Sequence, residues 1–173
     1  LDTAPEVVAA NIRETLGFSV EERRACASWE EALRLFIRRA DDAGILVMVS
    51  GIVFSNTNRR LDVEEFRGFA LVDRKAPLVF INGADSKAAQ MFTLAHELAH
   101  IWLGASALSN ASAAPVTGFR REEVWCNRVA AELLAPLHAV RAELEPNEPL
   151  EETLRRLARH FKVSTLVVLR RLL

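Results

Sequence analysis

Two histidines and a glutamate lie close together in the sequence H-E-L-A-H at residues 96–100, inside a predicted helix spanning residues 86–103. Residues four apart lie on one face of a helix, with Cβ atoms about 5–6 Å apart. Both imidazoles can therefore bind one metal ion, with Zn–N bonds of about 2.0–2.1 Å. Glu97 lies about 100° further round the helix, where it can act as a general base toward a water molecule without being a ligand.

The competing interpretation is that these histidines are hydrogen-bonded core residues, as a single histidine on an apolar helix usually is. The predicted helix is apolar on most sides, since it carries Met91, Phe92, Leu94, Ala95, Leu98, Ala99, Ile101, Trp102 and Leu103. Burying two imidazoles and a carboxylate among these apolar side chains would cost free energy unless something paired with them. We therefore favour a zinc site, with His96 and His100 as ligands and Glu97 as the catalytic residue.

A catalytic zinc usually has a third protein ligand, which the rest of the chain must supply. The longer pattern H-E-x-x-H-x-x-G-x-x-H is excluded because Leu103 and Ser106 stand where it needs Gly and His. A later aspartate is excluded because Asp85 is the last one in the chain. The remaining candidates are His138, His160, Cys126 and the downstream glutamates.

Among these candidates we favour Glu123, with Glu122 and His138 as alternatives. Glu123 opens a helix predicted from Arg121 to Ala135, and a helix holds a ligand more rigidly than a loop does. Asn127 follows four residues later on the same face and can orient a ligand by hydrogen bonding to it, without binding the metal itself. The competing interpretation is that glutamates in a first helical turn only complement the helix dipole.

A hydrolase also needs a donor for the oxyanion that develops during the reaction. The chain contains no Tyr, so this donor is not a tyrosine. Asn127 and His138 are the candidates for this role or for supporting the ligands, together with the arginines Arg128 and Arg141.

Composition argues against a nucleic-acid-binding protein, a disulfide-rich secreted protein and a membrane protein. The 173 residues suit one domain, or one domain with a small appendage. A formal net charge of −1 gives no general reason to bind nucleic acid, and two cysteines suit a reducing cytoplasm. The sequence carries no signal peptide and no apolar stretch long enough to span a membrane. Because the chain begins with Leu1 rather than Met, we expect a further region upstream.

The order of apolar patterns predicts an α+β fold with a small, largely antiparallel sheet packed against the 96–100 helix. Helices are predicted within residues 1–44, the first with Thr3 as its N-cap. Strands are predicted at 45–49 with 51–54, at 66–72 and at 78–81; residues 55–60 are predicted to be a polar loop and 104–118 an irregular one. Strand 78–81 is expected to be an edge strand that accepts an extended substrate, through Leu78, Val79, Phe80 and Ile81.

The C-terminal segment supports a second class of function. We divide the chain into a metallopeptidase domain, 1–146, and a helical segment, 147–173, that is similar to a helix-turn-helix. Residues 151–173 carry six Lys or Arg against two Glu, a local excess of four. A DNA-binding regulator, or a repressor-docking module with a non-catalytic metal site, would explain this excess. We favour a helical hairpin that packs on the main domain through Leu154, Leu157, Phe161, Leu166 and Leu169.

Four segments together resemble the ImmA/IrrE family of bacterial and phage zinc metallopeptidases: GFAL at 68–71, LVFING at 78–83, FTLAHELAH at 92–100 and EVWCNRVAAELLAP at 123–136. The resemblance implies a cytoplasmic, gluzincin-like endopeptidase with Zn²⁺ bound by His96, His100 and Glu123, and with Glu97 catalytic. It also implies a protein substrate, a helix-turn-helix repressor in a stress-response or mobile-element circuit. DNA contact would come from an upstream domain or the C-terminal segment, and no membrane partner is expected.

Overall fold

The computed structural model describes residues 1, 3–54, 56–104, 107–109 and 117–173, with only the backbone described at 107–109 and 117–120. The helices are α1 Pro5–Leu16, α2 Val20–Ala25, α3 Trp29–Asp42, α4 Lys87–Leu103, α5 Thr117–Leu134, α6 Leu137–Ala142, α7 Leu150–Phe161 and α8 Thr165–Leu172. The strands are β1 Leu46–Ser50, β2 Ile52–Val53, β3 Asn56–Arg60, β4 Gly68–Leu71, β5 Leu78–Asn82 and β6 Ala107–Ser109. The predicted α+β class is confirmed.

Four strands form the main sheet in the order β1-β5-β4-β6. β1 runs parallel to β5, with Leu46 opposite Leu78, whereas β4 is antiparallel to both β5 and β6. The face of the sheet toward the helices carries the buried side chains of Ala70, Val79 and Ile81. The sheet therefore gives α4 an apolar floor, and β4 and β5 both contact that helix.

β5 is not an edge strand, so the predicted role of Leu78, Val79, Phe80 and Ile81 as a backbone docking site is wrong. All four residues pair with β1 on one side and with β4 on the other. Their backbone groups are already hydrogen-bonded, which leaves none to receive an extended peptide. Among the described residues the sheet ends at β1 and β6.

Three further local predictions are corrected. Residues 56–60 are strand β3, which pairs with β2, rather than a polar loop; every one of them is exposed, so no apolar period marks the strand. The N-cap of α1 is Ala4 rather than Thr3. No separate helix was predicted at α2 or α6, because each buries only one residue, Arg23 and Val140, and so shows no apolar period. Of the irregular segment 104–118, residues 107–109 form β6, and 105, 106 and 110–116 lie outside the described residues.

α4 occupies the centre of the fold. It packs against α1, α3 and α5 as well as against β4 and β5. Its middle turns are fully buried, including Leu94, Ala95, Leu98 and Ala99. Among the described residues, no helix is both long and apolar enough to cross a membrane.

The C-terminal helices pack onto this core. Leu157, Phe161 and Val168 are buried within it, and Arg171 donates a hydrogen bond to the carboxylate of Glu132 on α5. The predicted contact through Leu166 is wrong, because this side chain is 56% exposed and α8 turns Val168 inward instead. The division of the chain at residue 146 stays a prediction.

Truncating Leu157 should destabilise the whole protein if α7 is part of the core. We expect Leu157→Ala to lower the free energy of unfolding by about 2–5 kcal/mol, because a large buried apolar side chain leaves a cavity. Leu150→Ala is the matched control on the same helix; Leu150 is 59% exposed, so its loss should change stability by no more than about 0.5 kcal/mol. Equal effects in urea denaturation would show that α7 is not part of the cooperative core.

Candidate metal centre

The helix that carries the H-E-L-A-H sequence is fixed at both ends. The Ser86 hydroxyl accepts a hydrogen bond from the Ala89 N–H at 3.3 Å and caps the N-terminus. At the other end, Gly104 adopts a left-handed conformation with φ 75°, and its N–H reaches the carbonyls of His100 and Ile101. The buried Gln90 side chain donates to the carbonyls of Gly83 and Asp85, at 3.0 and 2.6 Å. This contact anchors α4 to the end of β5.

His96, His100 and Glu123 converge from two helices. His96 Nε2 lies 3.1 Å from Glu123 Oε2, and His100 Nε2 lies 3.1 Å from Glu123 Oε1. The two Nε2 atoms are also 3.1 Å apart. α4 supplies both histidines on one face, and the extensive packing of α5 against α4 brings the carboxylate to them. The structure thus places together the three predicted ligands.

This donor set fits a tetrahedral metal ion. Ligand atoms about 2.0–2.1 Å from a tetrahedral zinc lie about 3.3 Å from one another, close to the spacing between the imidazole and carboxylate atoms. One potential ligand atom from each residue lies within 4.8 Å of the others. Two imidazoles and a carboxylate are ligands that zinc accepts. The residues present therefore fit the metal that the resemblance implies.

The electrostatics of the site favour an ionised ligand. Burial raises the pKa of the Glu123 carboxyl, but hydrogen bonds with His100 and His96 outweigh it and lower this pKa to about 2. His100 is fully buried and His96 is 6% exposed, whereas the Glu123 side chain is 23% exposed. The centre is therefore most accessible from the α5 side.

Glu97 lies beside the three ligands and is fully buried. The start of β4 packs closely against it: a Cβ added at Gly68 would lie 3.5 Å from Glu97 Oε1 and 2.5 Å from Thr93 Cγ2. The same Cβ would lie 2.8 Å from the carbonyl oxygen of Phe80. Only glycine fits here, because without a Cβ it lets the sheet approach the turn of α4 that carries Glu97.

Gly68→Ala should therefore disturb this turn. We expect it to lower the free energy of unfolding by about 1–3 kcal/mol, as overpacking typically does, and to reduce any activity by displacing Glu97. Gly68→Ala/Thr93→Ser should recover part of both losses, because the double variant removes the methyl group at 2.5 Å but not the contact with Phe80. Thr93→Ser alone is the control. A stable and fully active Gly68→Ala protein would contradict the close packing described above.

The other ligand candidates lie elsewhere or are chemically unsuited. His138 is exposed and lines a separate surface pocket with Arg13 and Gly17. His160 Nδ1 lies 3.5 Å from a carboxylate oxygen of Glu143. Burial raises the pKa of the Cys126 thiol, which disfavours the thiolate that a metal needs.

Asn127 is exposed on α5, one turn after Glu123, and lines a cleft beside the metal centre. It is therefore better placed than His138 for the oxyanion role that the sequence suggested for both residues. Arg128 lines the same cleft.

Comparison with known proteins agrees with this geometry. The family model described as Peptidase_M78, IrrE N-terminal-like domain, matches residues 40–173. The chain belongs to this family. Peptidase_M78 is a metallopeptidase family, and the matched residues include the metal centre together with α7 and α8. The resemblance to ImmA/IrrE proteins is thereby confirmed. No curated protein matches the chain.

Sequence reasoning missed two features of this Peptidase_M78 site. Gly68 was noted only as the first residue of the GFAL segment that resembles the family. Its packing role was missed because it depends on a contact between β4 and α4 that no local sequence pattern shows. The cleft beside the ligands was missed because its walls come from α4, α5 and α8, which are far apart in the chain. A glycine within an apolar strand was the available signal for the first of these.

Proposed function

We propose that the chain is a zinc-dependent endopeptidase that cleaves a regulatory protein, a helix-turn-helix transcriptional repressor in a stress-response or mobile-element circuit. The observation that carries the proposal is the convergence of His96, His100 and Glu123 within 4.8 Å, with Glu97 on the same turns of α4. Membership of a metallopeptidase family supports the reaction type. The substrate class rests on the resemblance to ImmA/IrrE proteins.

The proposed mechanism assigns a role to each of these side chains. His96, His100 and Glu123 would hold the zinc ion, which would supply a Lewis acid and lower the pKa of a water molecule. Glu97 accepts the proton from the attacking water and passes it to the leaving amine. Its full burial keeps bulk water from competing for that proton. Asn127 is our candidate donor to the oxyanion.

Metal content and cleavage together test this proposal. We expect about one zinc ion per chain in the wild type and in His138→Ala, the control with an exposed histidine, and almost none in His100→Ala. The zinc-loaded wild type should cleave the repressor encoded nearest to it, and His100→Ala should not. Zinc retention in His100→Ala would contradict the ligand assignment, and a zinc-loaded protein that leaves every neighbouring repressor intact would contradict the substrate.

The alternative, a DNA-binding regulator or a repressor-docking module with a non-catalytic metal site, has less support. Its basic C-terminal residues are partly engaged: Arg156 contacts Glu148 at 2.7 Å, and Arg171 contacts Glu132. Steeply salt-dependent binding of duplex DNA by this chain, without any peptide cleavage, would favour the alternative.

A further inference from the structure

A cleft of about 620 Å³ adjoins the metal centre, between α4, α5 and α8. None of the four residues of the metal centre and its proposed base lines it, but it begins one helical turn from Glu97, at Thr93. Thr93 lines the cleft, and both its Cγ2 atom and Glu97 Oε1 lie within 3.5 Å of the point where a Cβ of Gly68 would stand. Val124, which follows the ligand Glu123, lines the opposite wall. A polypeptide crossing the metal centre would therefore enter this cleft.

The floor of the cleft is apolar. It is formed by small side chains such as Ala89 and Ala131 together with the ring of Phe92. Leu166 of α8 also faces the cleft and is 56% exposed, which is costly for a leucine with nothing to cover it. This floor suits an apolar side chain of a ligand.

The rim of the cleft carries an excess of positive charge. Its lining includes four arginines and one aspartate. Arg67 lies 3.2 Å from that aspartate, Asp85, and Arg171 is paired with Glu132. Arg128 and Arg170 are both exposed, and neither has a carboxylate partner in the part of the chain that the structure describes. Two guanidinium groups, one from α5 and one from α8, are thus free to bind an anion beside an apolar floor.

We propose that this cleft is a substrate subsite that binds a polypeptide segment carrying an acidic side chain next to an apolar one. The inference rests on the proposed peptidase function and adds the substrate chemistry. The apolar side chain covers Leu166 and Phe92, while Arg128 and Arg170 hold the carboxylate, a group whose geometry guanidinium matches. The basic surface of α8 then selects a peptide substrate and is a wall of the catalytic cleft rather than a DNA-reading surface.

Peptide binding to the Glu97→Gln variant tests this inference without relying on catalysis. The probes are fluorescein-labelled octapeptides that share a central Leu and differ only in the next residue, which is Glu, Gln or Lys. We expect the Glu peptide to bind about fivefold more tightly than the Gln peptide, and the preference to weaken at high salt. Adding Arg128→Gln and Arg170→Gln should reduce the ratio to about one.

Two further variants make the test specific. Arg155→Gln, an exposed arginine on α7 that pairs with Glu151, should leave the Glu preference unchanged. Arg170→Glu should abolish the Glu preference and strengthen binding of the Lys peptide, since an unpaired carboxylate then replaces one of the two unpaired guanidinium groups. Equal binding of the Glu and Gln peptides, no binding of any peptide, or competition by duplex DNA for the same site would overturn the inference.

Cleavage of the same octapeptides by the zinc-loaded wild type separates this inference from the proposed function. Cleavage of Glu and Gln peptides at equal rates would leave the peptidase proposal standing and overturn the acidic subsite. A preference for the Glu peptide in binding, with no cleavage of any peptide or repressor, would support the subsite and count against the hydrolase.

Discussion

Glu97→Gln should lower the rate of repressor cleavage by about 10²- to 10⁴-fold, the usual contribution of a general base. Glutamine has nearly the same size as glutamate but cannot accept the proton of an attacking water. Because Glu97 is fully buried beside Thr93 and Gly68, this isosteric change should leave the packing of α4 intact. Zinc content and thermal stability should therefore match those of the wild type, and the loss should appear in kcat.

Glu122→Gln is the matched control for this experiment. Glu122 is a partly exposed glutamate that precedes the ligand position on α5 and lies outside the metal-binding group. We expect normal cleavage from Glu122→Gln. If Glu97→Gln kept its zinc and cleaved at the wild-type rate, the assigned base would be wrong even though the metal site would remain.

The α4 half of the site could be predicted because its determinants are local. The spacing of His96 and His100 fixes both imidazoles on one face as soon as the helix forms. The predicted helix, 86–103, agrees with α4 to within one residue, and Ser86 and Gly104 act as its caps in the structure. None of these conclusions depends on the position of any other helix or strand.

The third candidate ligand was harder to predict because its position depends on contact between two helices. Elimination left Glu123 as the favoured residue, with Glu122 and His138 still open, and the resemblance assigned the ligand position to Glu123. The structure separates them: Glu123 lies 3.1 Å from both imidazoles, whereas His138 is in a different surface pocket. Helical phase decides between Glu122 and Glu123, since neighbouring residues point about 100° apart.

Strand pairing, which the apolar pattern does not show, explains two of the wrong predictions. The run Leu78–Ile81 looks the same at the edge or in the middle of a sheet, and its position depends on β1 pairing with it from more than thirty residues earlier. The exposed strand β3 has no apolar alternation, so its existence follows only from the backbone of β2. Strand order therefore had to come from the structure.

Glu123→Gln should weaken zinc binding by at least about 10²-fold. Loss of a residue that only orients a ligand already costs about 10- to 100-fold, and here a ligand itself becomes a neutral amide. The binding constant can be measured by competition with a chromophoric chelator, and Glu122→Gln is again the control, expected to stay within about twofold of wild type. Similar losses in both variants would indicate a general effect of charge near the N-terminal part of α5 rather than ligation.

The pH dependence of this effect follows from the same geometry. Because hydrogen bonds from His100 and His96 overcome the effect of burial and hold the pKa of Glu123 at about 2, its carboxylate is already ionised at pH 6 and at pH 8. Protons compete with zinc for this oxygen only as the pH falls toward 2. Glu123→Gln should therefore bind zinc more weakly than wild type at both pH 6 and pH 8. A deficit that was present at pH 8 but vanished at pH 6 would mean that Glu123 binds a proton near neutrality.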